Sequence, residues 1–359
     1  MKKFLFIIAA SVFLVASQTS YAAEKRVGIL FSSYGDVDSP DEVPNYLKSA
    51  IRDPDVAPIP GYLKGIAAEL AALFGGKKAA DEYRVIGGSK YRASSRAQAD
   101  LVAEEFRKSG IEVKTYTGFV FTYPYIRETM AQIQADGITD LVVFNQGAQY
   151  SKVTQGINIR EVRSYLKKHP EYQPNVTAVR SFSEDPRFRD LLADSIRVGL
   201  SENFSNVPAS DVCIYLPSHG LPQSLPDNGD PAYGQMLRAY EDMKARFQGH
   251  LVVTGFQNHS ELGTQWTMPD SEEQAHFLAA SADCPNVLIN GRISFTVDNI
   301  ETLYDEGVSQ RATILEARPE TKVVVQKSFN SESSYVSFIT AVAQEALDGK
   351  GDIQKITGK

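Results

Sequence analysis

Short apolar runs with the composition of β-strands alternate with amphipathic segments along nearly the whole chain, and this alternation limits the possible folds more than any other feature. The strand-like runs are residues 25–31, 111–116, 140–144, 175–179, 212–216, 251–256 and 287–295. The helical segments between them are residues 94–109, 126–135, 159–168, 186–203, 231–247 and 271–282. Such alternation predicts right-handed βαβ units around parallel sheets. A chain of 359 residues is long enough for two such sheets, one in each half.

Two proline-rich stretches divide the chain. The polar segment His169–Pro174 contains two prolines and predicts a boundary between an N-terminal lobe, residues 23–172, and a C-terminal lobe, residues 173–359. The second stretch, residues 53–60, contains three prolines, which exclude regular structure, and it precedes an Ala- and Leu-rich helix predicted over residues 62–74. Two interpretations of this second stretch stay open: a lid over a cleft, or a loop that only connects two elements.

The first 22 residues have the pattern of a secretory signal peptide. Lys2 and Lys3 precede an unbroken run of apolar and small residues from 4 to 16, and Ser20 and Ala22 supply the small residues that a signal peptidase reads. A membrane anchor, the alternative, needs about 20 apolar residues, and this run is shorter. We therefore expect cleavage after Ala22 and a periplasmic or otherwise exported protein.

The balance of charge limits the possible partners. The chain has 37 basic and 44 acidic residues and no dense basic segment, so nucleic acid is not an expected partner. Cleavage after Ala22 would remove Lys2 and Lys3 and leave 35 basic and 44 acidic residues, a net charge of −9. This acidity argues against strong binding to anionic membranes.

The chain contains two cysteines, Cys213 and Cys284. Cys213 lies in an apolar strand, where we expect a buried residue that behaves as a small hydrophobe. A disulfide is also possible in an oxidising compartment, so the sequence leaves open whether the two thiols are free. The sequence has no CxxC or CxxCH motif, which argues against a thioredoxin-type site and against covalent attachment of c-type haem.

One of the five histidines, His219, follows the strand at residues 212–216 in a turn framed by Pro217 and Pro222. Open α/β sheets place their chemistry at the carboxyl ends of strands. A neutral imidazole there can bind a divalent metal ion or accept a proton near neutral pH. The alternative is a histidine that only bonds the backbone of its own turn.

Three carboxylates, Asp298, Glu301 and Asp305, are spaced three and four residues apart after the strand at residues 287–295. The apolar residues of the same segment have the spacing of a buried helical stripe, which places the acids together on another face. Such a row can attract a cation or pass protons. The helix dipole alone also favours acids in a first turn, so an ordinary solvated helix start is the alternative.

A polar loop from Thr254 to Glu261 leads to Trp266, the only tryptophan of the chain. His259 and Glu261 in this loop are either metal ligands or water-facing residues. Several tyrosines lie near predicted strand ends of the first half: Tyr34, Tyr91, Tyr123, Tyr125 and Tyr150. An aromatic cleft with one histidine and a facing carboxylate suits a flat, apolar ligand that binds metal.

In the order and spacing of these motifs, nearly the whole mature chain resembles the ferrochelatases. The segments that carry the resemblance are Gly28–Val43, Ile86–Ser89, Asp136–Thr139, Ser218–Pro222, Gly229–Tyr233, Phe256–Gln257 with Trp266, and Phe295–Tyr304. The segment Ser218–Pro222 is similar to the motif of the family's active-site histidine, and the last segment is similar to the helix with its catalytic glutamate. Many members have a histidine two residues before that glutamate, where this chain has Asn299.

The resemblance implies two Rossmann-like lobes, each a parallel sheet flanked by helices, with a porphyrin cleft between them. It implies that His219 and Glu301 are catalytic and face each other across the macrocycle, with Asp305 extending the acidic row as a third metal-site residue. The residues that it implies for tetrapyrrole binding are Tyr34, Ser218, Gln257, Trp266 and Phe295.

The resemblance implies insertion of a divalent metal, with ferrous iron expected, into a porphyrin by ring distortion and pyrrole deprotonation. The metal would be a substrate, and no tightly bound cofactor is expected. Because haem synthesis uses cytoplasmic substrates, the signal peptide leaves alternatives open. These are the reverse reaction, an exported carrier of haem or another tetrapyrrole, a cobalt chelatase and, as the third choice, a periplasmic solute-binding protein.

Overall fold

The computed structural model describes residues 25–57, 59–257 and 265–358. The predicted signal peptide lies outside these ranges. In chain order the first half contains β1 (Val27–Ser33), α1 (Val43–Arg52), α2 (Gly61–Ile86), α3 (Tyr91–Lys108), β2 (Val113–Phe119), α4 (Ile126–Ala135), β3 (Asp140–Asn145), α5 (Gln155–Lys168) and β4 (Asn175–Val179).

The second half contains α6 (Pro186–Phe204), β5 (Val212–His219), α7 (Ser224–Asp227), α8 (Ala232–Arg246), β6 (Val252–Gln257), α9 (Ser271–Ala280) and β7 (Asn286–Ile289). A π-helix (Glu301–Gln310) follows and continues into α10 (Arg311–Ala317). The chain ends with β8 (Lys322–Val325), α11 (Ser333–Leu347) and β9 (Ile353–Ile356).

These elements form two sheets flanked by helices, so the α/β prediction of two parallel sheets is confirmed. The first sheet has the strand order β2-β1-β3-β4-β9, and the second has the order β6-β5-β7-β8. All pairs are parallel except β4 with β9. Apolar side chains of the strands, such as Ile29 and Leu288, are fully buried between the helical layers.

The predicted lobe boundary between residues 172 and 173 is wrong. Strand β4 follows that point, yet it pairs with β3 in the first sheet. The chain also returns to this sheet at its end, because β9 pairs with β4 and α11 packs on α3, β3 and β4. The buried face of α11, which includes Tyr335 and Ile339, completes the core of the first lobe. The first lobe is therefore built from both ends of the sequence.

Other elements differ from prediction in extent. The predicted strand 287–295 ends at Ile289, because the Asn290 side chain accepts a hydrogen bond from Arg292 N and a short 3-10 turn begins there. Helix α2 extends twelve residues beyond the predicted Phe74 and ends at Ile86. Its cap residue is Gly87, whose φ of +72° favours glycine. The sequence analysis did not identify β8, α11 or β9.

Helix α2 lies against α1 and also touches the π-helix. Its first half exposes large apolar side chains, including Tyr62, Ile66, Leu73 and Phe74. Tyr83 and Ile86 in the second half of α2 lie in one cluster with Ile300, which places this half beside the candidate site described below. The lid interpretation of residues 53–74 stays a prediction. Within the described ranges, no helix is both long enough and apolar enough to cross a bilayer.

Cys213 and Cys284 form a disulfide and both are fully buried. Cys213 lies in β5, and Cys284 lies just before β7, the neighbouring strand. The expectation that Cys213 is buried is confirmed, and the question of free thiols is answered: the described residues include no free cysteine. The bond ties together the two strands that lead to His219 and towards the π-helix.

Candidate active site

Strand β5 carries His219 to the carboxyl edge of the second sheet, as the sequence predicted. His219 pairs in register with Gln257 of β6, and Gly220 N donates to Gln257 O at 2.8 Å, which sets the turn after the strand. Successive side chains of a strand point to opposite faces. The His219 side chain is 42% exposed, whereas Ser218 is only 1% exposed, so the two do not share a surface. The expectation that Ser218 binds the tetrapyrrole gains no support from this burial and stays a prediction.

Glu301 begins the π-helix, and a reciprocal pair of hydrogen bonds forms the start of this helix. Asn299 N donates to Thr302 Oγ1 at 3.0 Å, and Thr302 N donates to Asn299 Oδ1 at 3.1 Å. This arrangement is that of a capping box and satisfies two of the donors that a helix start leaves without intrahelical partners. Asn299 therefore has a structural part in the first turn.

The structure brings His219 and Glu301 together: His219 Nδ1 lies 3.5 Å from Glu301 Oε1. The sequence analysis expected the two across a gap wide enough for a macrocycle, and this detail is wrong. An imidazole and a carboxyl attract each other, and here they are in direct contact. The protonation state of each group therefore affects that of the other.

Burial changes the acid strength of the carboxyls at this site. Glu301, whose side chain is 17% exposed, has its pKa raised to about 7, chiefly by desolvation. Desolvation also raises the pKa of Asp305 to about 8, and the negative charges of Glu301, Glu82 and Glu272 add to the effect. Both carboxyls therefore exchange protons near neutral pH.

Of the three carboxylates predicted to lie in one row, Asp298 does not lie with the other two. Asp298 precedes the helix, and its carboxylate accepts from Ser328 N at 2.7 Å and from Asn330 Nδ2 at 2.9 Å. These bonds hold Asp298 in a structural role, so its predicted place beside Glu301 and Asp305 is wrong. The α-helical spacing of three and four residues did not apply, because the first residue lies outside the helix and the rest form a wider π-turn.

The sequence analysis did not identify Glu306, which is fully buried on the π-helix. Its Oε1 accepts from Gln257 Nε2 at 3.3 Å, and its pKa is raised well above the ordinary value, first by desolvation. A π-helix has more than four residues per turn, so residues four and five apart share a face. The buried positions Thr302, Glu306 and Gln310 lie on one face, but all three are polar, so hydrophobic periodicity in the sequence does not mark Glu306 as buried.

The first lobe supplies an aromatic group beside the site. The rings of Tyr34 and Phe121 lie 4.9 Å apart, and the ring of Tyr46 meets Phe121 edge-on at 5.9 Å. The negative charges of Asp36 and Glu301 contribute, after desolvation, to a raised pKa of Tyr46. Tyr46 thus lies within electrostatic range of Glu301, and Tyr34 lies in the same cluster.

The remaining predicted residues occupy different environments. Gln257 is 1% exposed and bonds Glu306, so it lies beneath the site rather than in an open cleft. Trp266 and Phe295 are partly exposed. A backbone bridge joins Trp266 to Pro222 in the turn after His219. The loop residues His259 and Glu261 lie outside the described residues. Among the residues described, no group of three or more His, Cys, Asp or Glu side chains is arranged to hold a metal ion.

Two sequence comparisons with known proteins place the chain in a family. Residues 26–347 match the family model described as Ferrochelatase. The chain is 30% identical over 283 residues to the ferrochelatase of Geobacter metallireducens, covering 78% of this chain and 86% of that protein. It is 29% identical over 344 residues to chloroplastic ferrochelatase-2 of Hordeum vulgare, covering 93% of this chain and 69% of that protein. The chain thus spans about two thirds of the length of this plant relative.

Among solved structures, the fold is similar to SirB from Bacillus subtilis with Fe3+, with a TM-score of 0.55 and 12% sequence identity, covering 91% of this chain and 99% of that chain. SirB of Bacillus subtilis subspecies spizizenii, described as a sirohydrochlorin chelatase in complex with cobalt, gives a TM-score of 0.50 at 10% identity, covering 90% and 96%. At this identity the likeness concerns the fold alone. The sequence matches and the fold agree: the chain belongs to the ferrochelatase family and is an enzyme of the lyase class, a metal chelatase that acts on tetrapyrroles.

Proposed function

We propose that this protein inserts ferrous iron into a porphyrin. The observation that carries the proposal is the contact between His219 and Glu301 at 3.5 Å, on two different elements of the second lobe. In the reaction, the four nitrogens of the ring bind one divalent metal ion and two pyrrole N–H protons leave, so charge balances. The site must therefore accept protons and attract a cation at one place.

His219 and Glu301 divide these tasks. A neutral His219 imidazole accepts a pyrrole proton, a type of contribution worth roughly a hundred- to ten-thousand-fold in rate. Glu301 lies within direct reach of His219 Nδ1, and its pKa of about 7 allows it to take up a proton and release it again near neutral pH. When ionised, the same carboxylate offsets part of the charge of the approaching metal.

Asp305 continues the route from Glu301 towards the surface. The pKa of Asp305, about 8, responds to the charges of Glu82 on α2 and Glu272 on α9. Glu272 is exposed, so the acidic series runs from the reacting pair to solvent. Because Glu301 and Asp305 have near-neutral pKa values, the two carboxyls at the inner end of this series can carry protons outward and metal ions inward.

The aromatic residues Tyr34, Trp266 and Phe295 are the proposed contacts for the macrocycle. Their apolar faces suit a flat ring, and binding energy from such walls can be used to bend it, which exposes the nitrogen lone pairs. His219 then meets the nitrogens from the second lobe.

Absorption spectroscopy tests the proposal. The mature protein is mixed with protoporphyrin or coproporphyrin and Fe²⁺, Co²⁺ or Zn²⁺ under anaerobic conditions. We expect many turnovers with Fe²⁺, and losses of at least a hundredfold in His219→Ala and Glu301→Gln. Matched controls are His276→Ala and Glu316→Gln, because both residues are exposed, the first on α9 and the second near the end of α10, which continues the π-helix.

The other outcomes identify the alternatives. Turnover with Co²⁺ but not Fe²⁺ would make the protein a cobalt chelatase. A spectral change that stops at one equivalent would indicate a carrier of haem or another tetrapyrrole, and loss of iron from added haem would indicate the reverse reaction. Family membership does not support the solute-binding alternative, which predicts no response to any porphyrin.

We also propose that the protein is exported, with cleavage after Ala22. The buried disulfide between Cys213 and Cys284 supports this proposal, because such bonds persist in oxidising compartments and are rare in the cytosol. Cell fractionation and the N-terminal mass of the purified native protein test it. Export predicts an N-terminus at Ala23 and protein in the exported fraction. Full-length protein confined to the cytosol would refute it.

A further inference from the structure

We infer that Asp36 of the first lobe is a positioning residue for Glu301 in the second lobe, an inference that rests on the proposed function. Asp36 follows β1 and is only 4% exposed. Its Oδ2 accepts a hydrogen bond at 3.1 Å from Ile300 N, the residue directly before Glu301. A carboxyl of one lobe thus holds the first turn of the helix that supplies the catalytic glutamate of the other.

The backbone before Asp36 is built to place this carboxyl. Gly35 has a φ of +81°, and a Cβ there would lie 2.1 Å from Thr122 Oγ1 and 2.8 Å from Phe119 Cβ. Only glycine fits such a conformation and such a space. The turn after β1 therefore has one path, and this path directs Asp36 at the helix start.

Four hydrogen-bond partners surround the Asp36 carboxyl, one of them the Ser89 side chain. Val37 N donates to Oδ1 at 2.8 Å, Tyr83 OH of α2 donates to the same oxygen, and Ile300 N donates to Oδ2. The Ile300 N–H belongs to the first turn of the helix, where donors have no intrahelical acceptor. The backbone N–H groups of Asn299 and Thr302 each bond the other residue's side chain. The N–H of Ile300 between them instead finds its acceptor in the first lobe, at Asp36.

Apolar packing accompanies the hydrogen bond. The Ile300 side chain packs against the buried cluster that contains Val37 and Tyr83, both of the first lobe. The first turn of the catalytic helix is therefore inserted into the first lobe through both its backbone and its side chain. The favourable interaction of a carboxylate with a helix N-terminus adds to this attachment.

This attachment controls the reacting pair. His219 is fixed by β5, whereas Glu301 is the first residue after the point that Asp36 holds. A displacement of that turn changes the 3.5 Å separation of His219 Nδ1 and Glu301 Oε1. Errors of about 1 Å in the placement of a reacting group can lower rates about a hundredfold. Asp36 acts through Glu301 and does not itself touch the reacting atoms.

Three variants of the mature full chain test the inference. Asp36→Ala removes the acceptor for Ile300 N, and Asp36→Asn keeps one acceptor oxygen. Tyr83→Phe removes a donor to the same carboxyl but keeps the ring of the cluster against which Ile300 packs. We expect kcat for Fe²⁺ insertion into protoporphyrin to fall ten- to a hundredfold in Asp36→Ala with KM for the porphyrin within about threefold. Asp36→Asn recovers part of kcat, and Tyr83→Phe stays within threefold of the wild type. All kinetics are measured below the thermal unfolding transition of each variant.

A second measurement does not depend on turnover. At a fixed pH, the ¹⁵N shifts of the His219 imidazole should move in Asp36→Ala in the same direction as in Glu301→Gln, and stay at wild-type values in Tyr83→Phe. Wild-type shifts in a folded Asp36→Ala, or equal kcat losses in Asp36→Ala and Tyr83→Phe, would overturn the inference. If the wild type itself does not metalate porphyrin, the proposed function fails, and the imidazole shifts alone decide whether Asp36 positions Glu301.

Discussion

Glu306 Oε1 accepts a hydrogen bond from Gln257 Nε2 at 3.3 Å, and Gln257 is the register partner of His219. A fully buried carboxyl therefore lies behind the strand end that carries the candidate base. The Glu306 side chain also lies against Gly291, where a Cβ would come within 2.1 Å of Oε1 and 2.7 Å of Cδ. The position of Glu306 depends on the absence of a side chain at residue 291.

Gly291→Ala should therefore destabilise the protein. The added methyl group must displace a buried side chain in a packed core, which costs roughly 1–3 kcal/mol. Urea unfolding measures the loss. In a double-mutant cycle with Glu306→Ala, the combined cost should be smaller than the sum, because Glu306→Ala removes the atoms that clash. Strict additivity would contradict the contact.

Stability should fall as pH rises from about 5.5 to 8. Desolvation raises the pKa of Asp36 and of Glu301 to about 7 and that of Asp305 to about 8, from ordinary values of 3.8, 4.5 and 3.8. The folded protein thus binds more protons than the unfolded chain in this window, and stability decreases with pH until the folded groups have ionised. Urea midpoints across this range test the slope, which Glu301→Gln should reduce and Glu316→Gln should not. A rise in stability from pH 6 to 8 would contradict the prediction.

Turnover should increase with pH between about 6 and 8. Glu301 and Asp305 attract the metal only when ionised, and their pKa values of about 7 and 8 place that ionisation in this range. The measurement is kcat/KM for the metal as a function of pH. In Asp305→Asn the increase should be complete at a lower pH, because the group with the higher pKa is gone. An unchanged profile in that variant would separate Asp305 from the reaction.

The disulfide should contribute substantially to stability. It connects cysteines 71 residues apart, and loss of a native disulfide typically costs 2–5 kcal/mol. In a Cys213→Ala/Cys284→Ala variant the free energy of unfolding should fall by that amount, which is measured as a lower urea midpoint. Wild-type protein reduced in the unfolded state should refold to a form with a similarly lowered midpoint. Free thiols in denatured, unreduced wild-type protein would contradict the bond.

Arg160 should hold down the connection between α1 and α2. Its guanidinium pairs with Asp53 and Asp55 of that connection and with Glu161 at 3.1 Å. Asp53 is 9% exposed, so Arg160→Met leaves a buried carboxylate without its partner, at a cost of about 1–3 kcal/mol. Hydrogen exchange of residues 53–57 should accelerate. Arg197→Met is the matched control, because the pair of Arg197 with Asp194 is exposed and should change stability by less than about 0.5 kcal/mol.

Local patterns were sufficient to predict much of the fold. Helix α4 begins and ends where its amphipathic pattern predicted, and β4 matches its predicted bounds. Apolar runs and helical periodicity reflect local backbone preference and burial of one face, so they can be interpreted without knowing the neighbours. The placement of His219 at a strand end and of Glu301 at a helix start has the same origin.

Tertiary structure decided what those local patterns could not. The sequence pattern of β4 predicts a strand but does not indicate which sheet the strand joins. Its pairing with β3 and β9 sets the lobe boundary. The π-turn that brings Glu306 behind Gln257 is a departure from regular helix spacing that hydrophobic periodicity does not report. The hydrogen bond that Ile300 N donates to Asp36 joins residues 264 apart. Sequence patterns thus determined the type of each element and the chemistry that it carries, whereas contacts between distant segments determined which groups meet, because burial and pairing depend on the partner as well as on the residue itself.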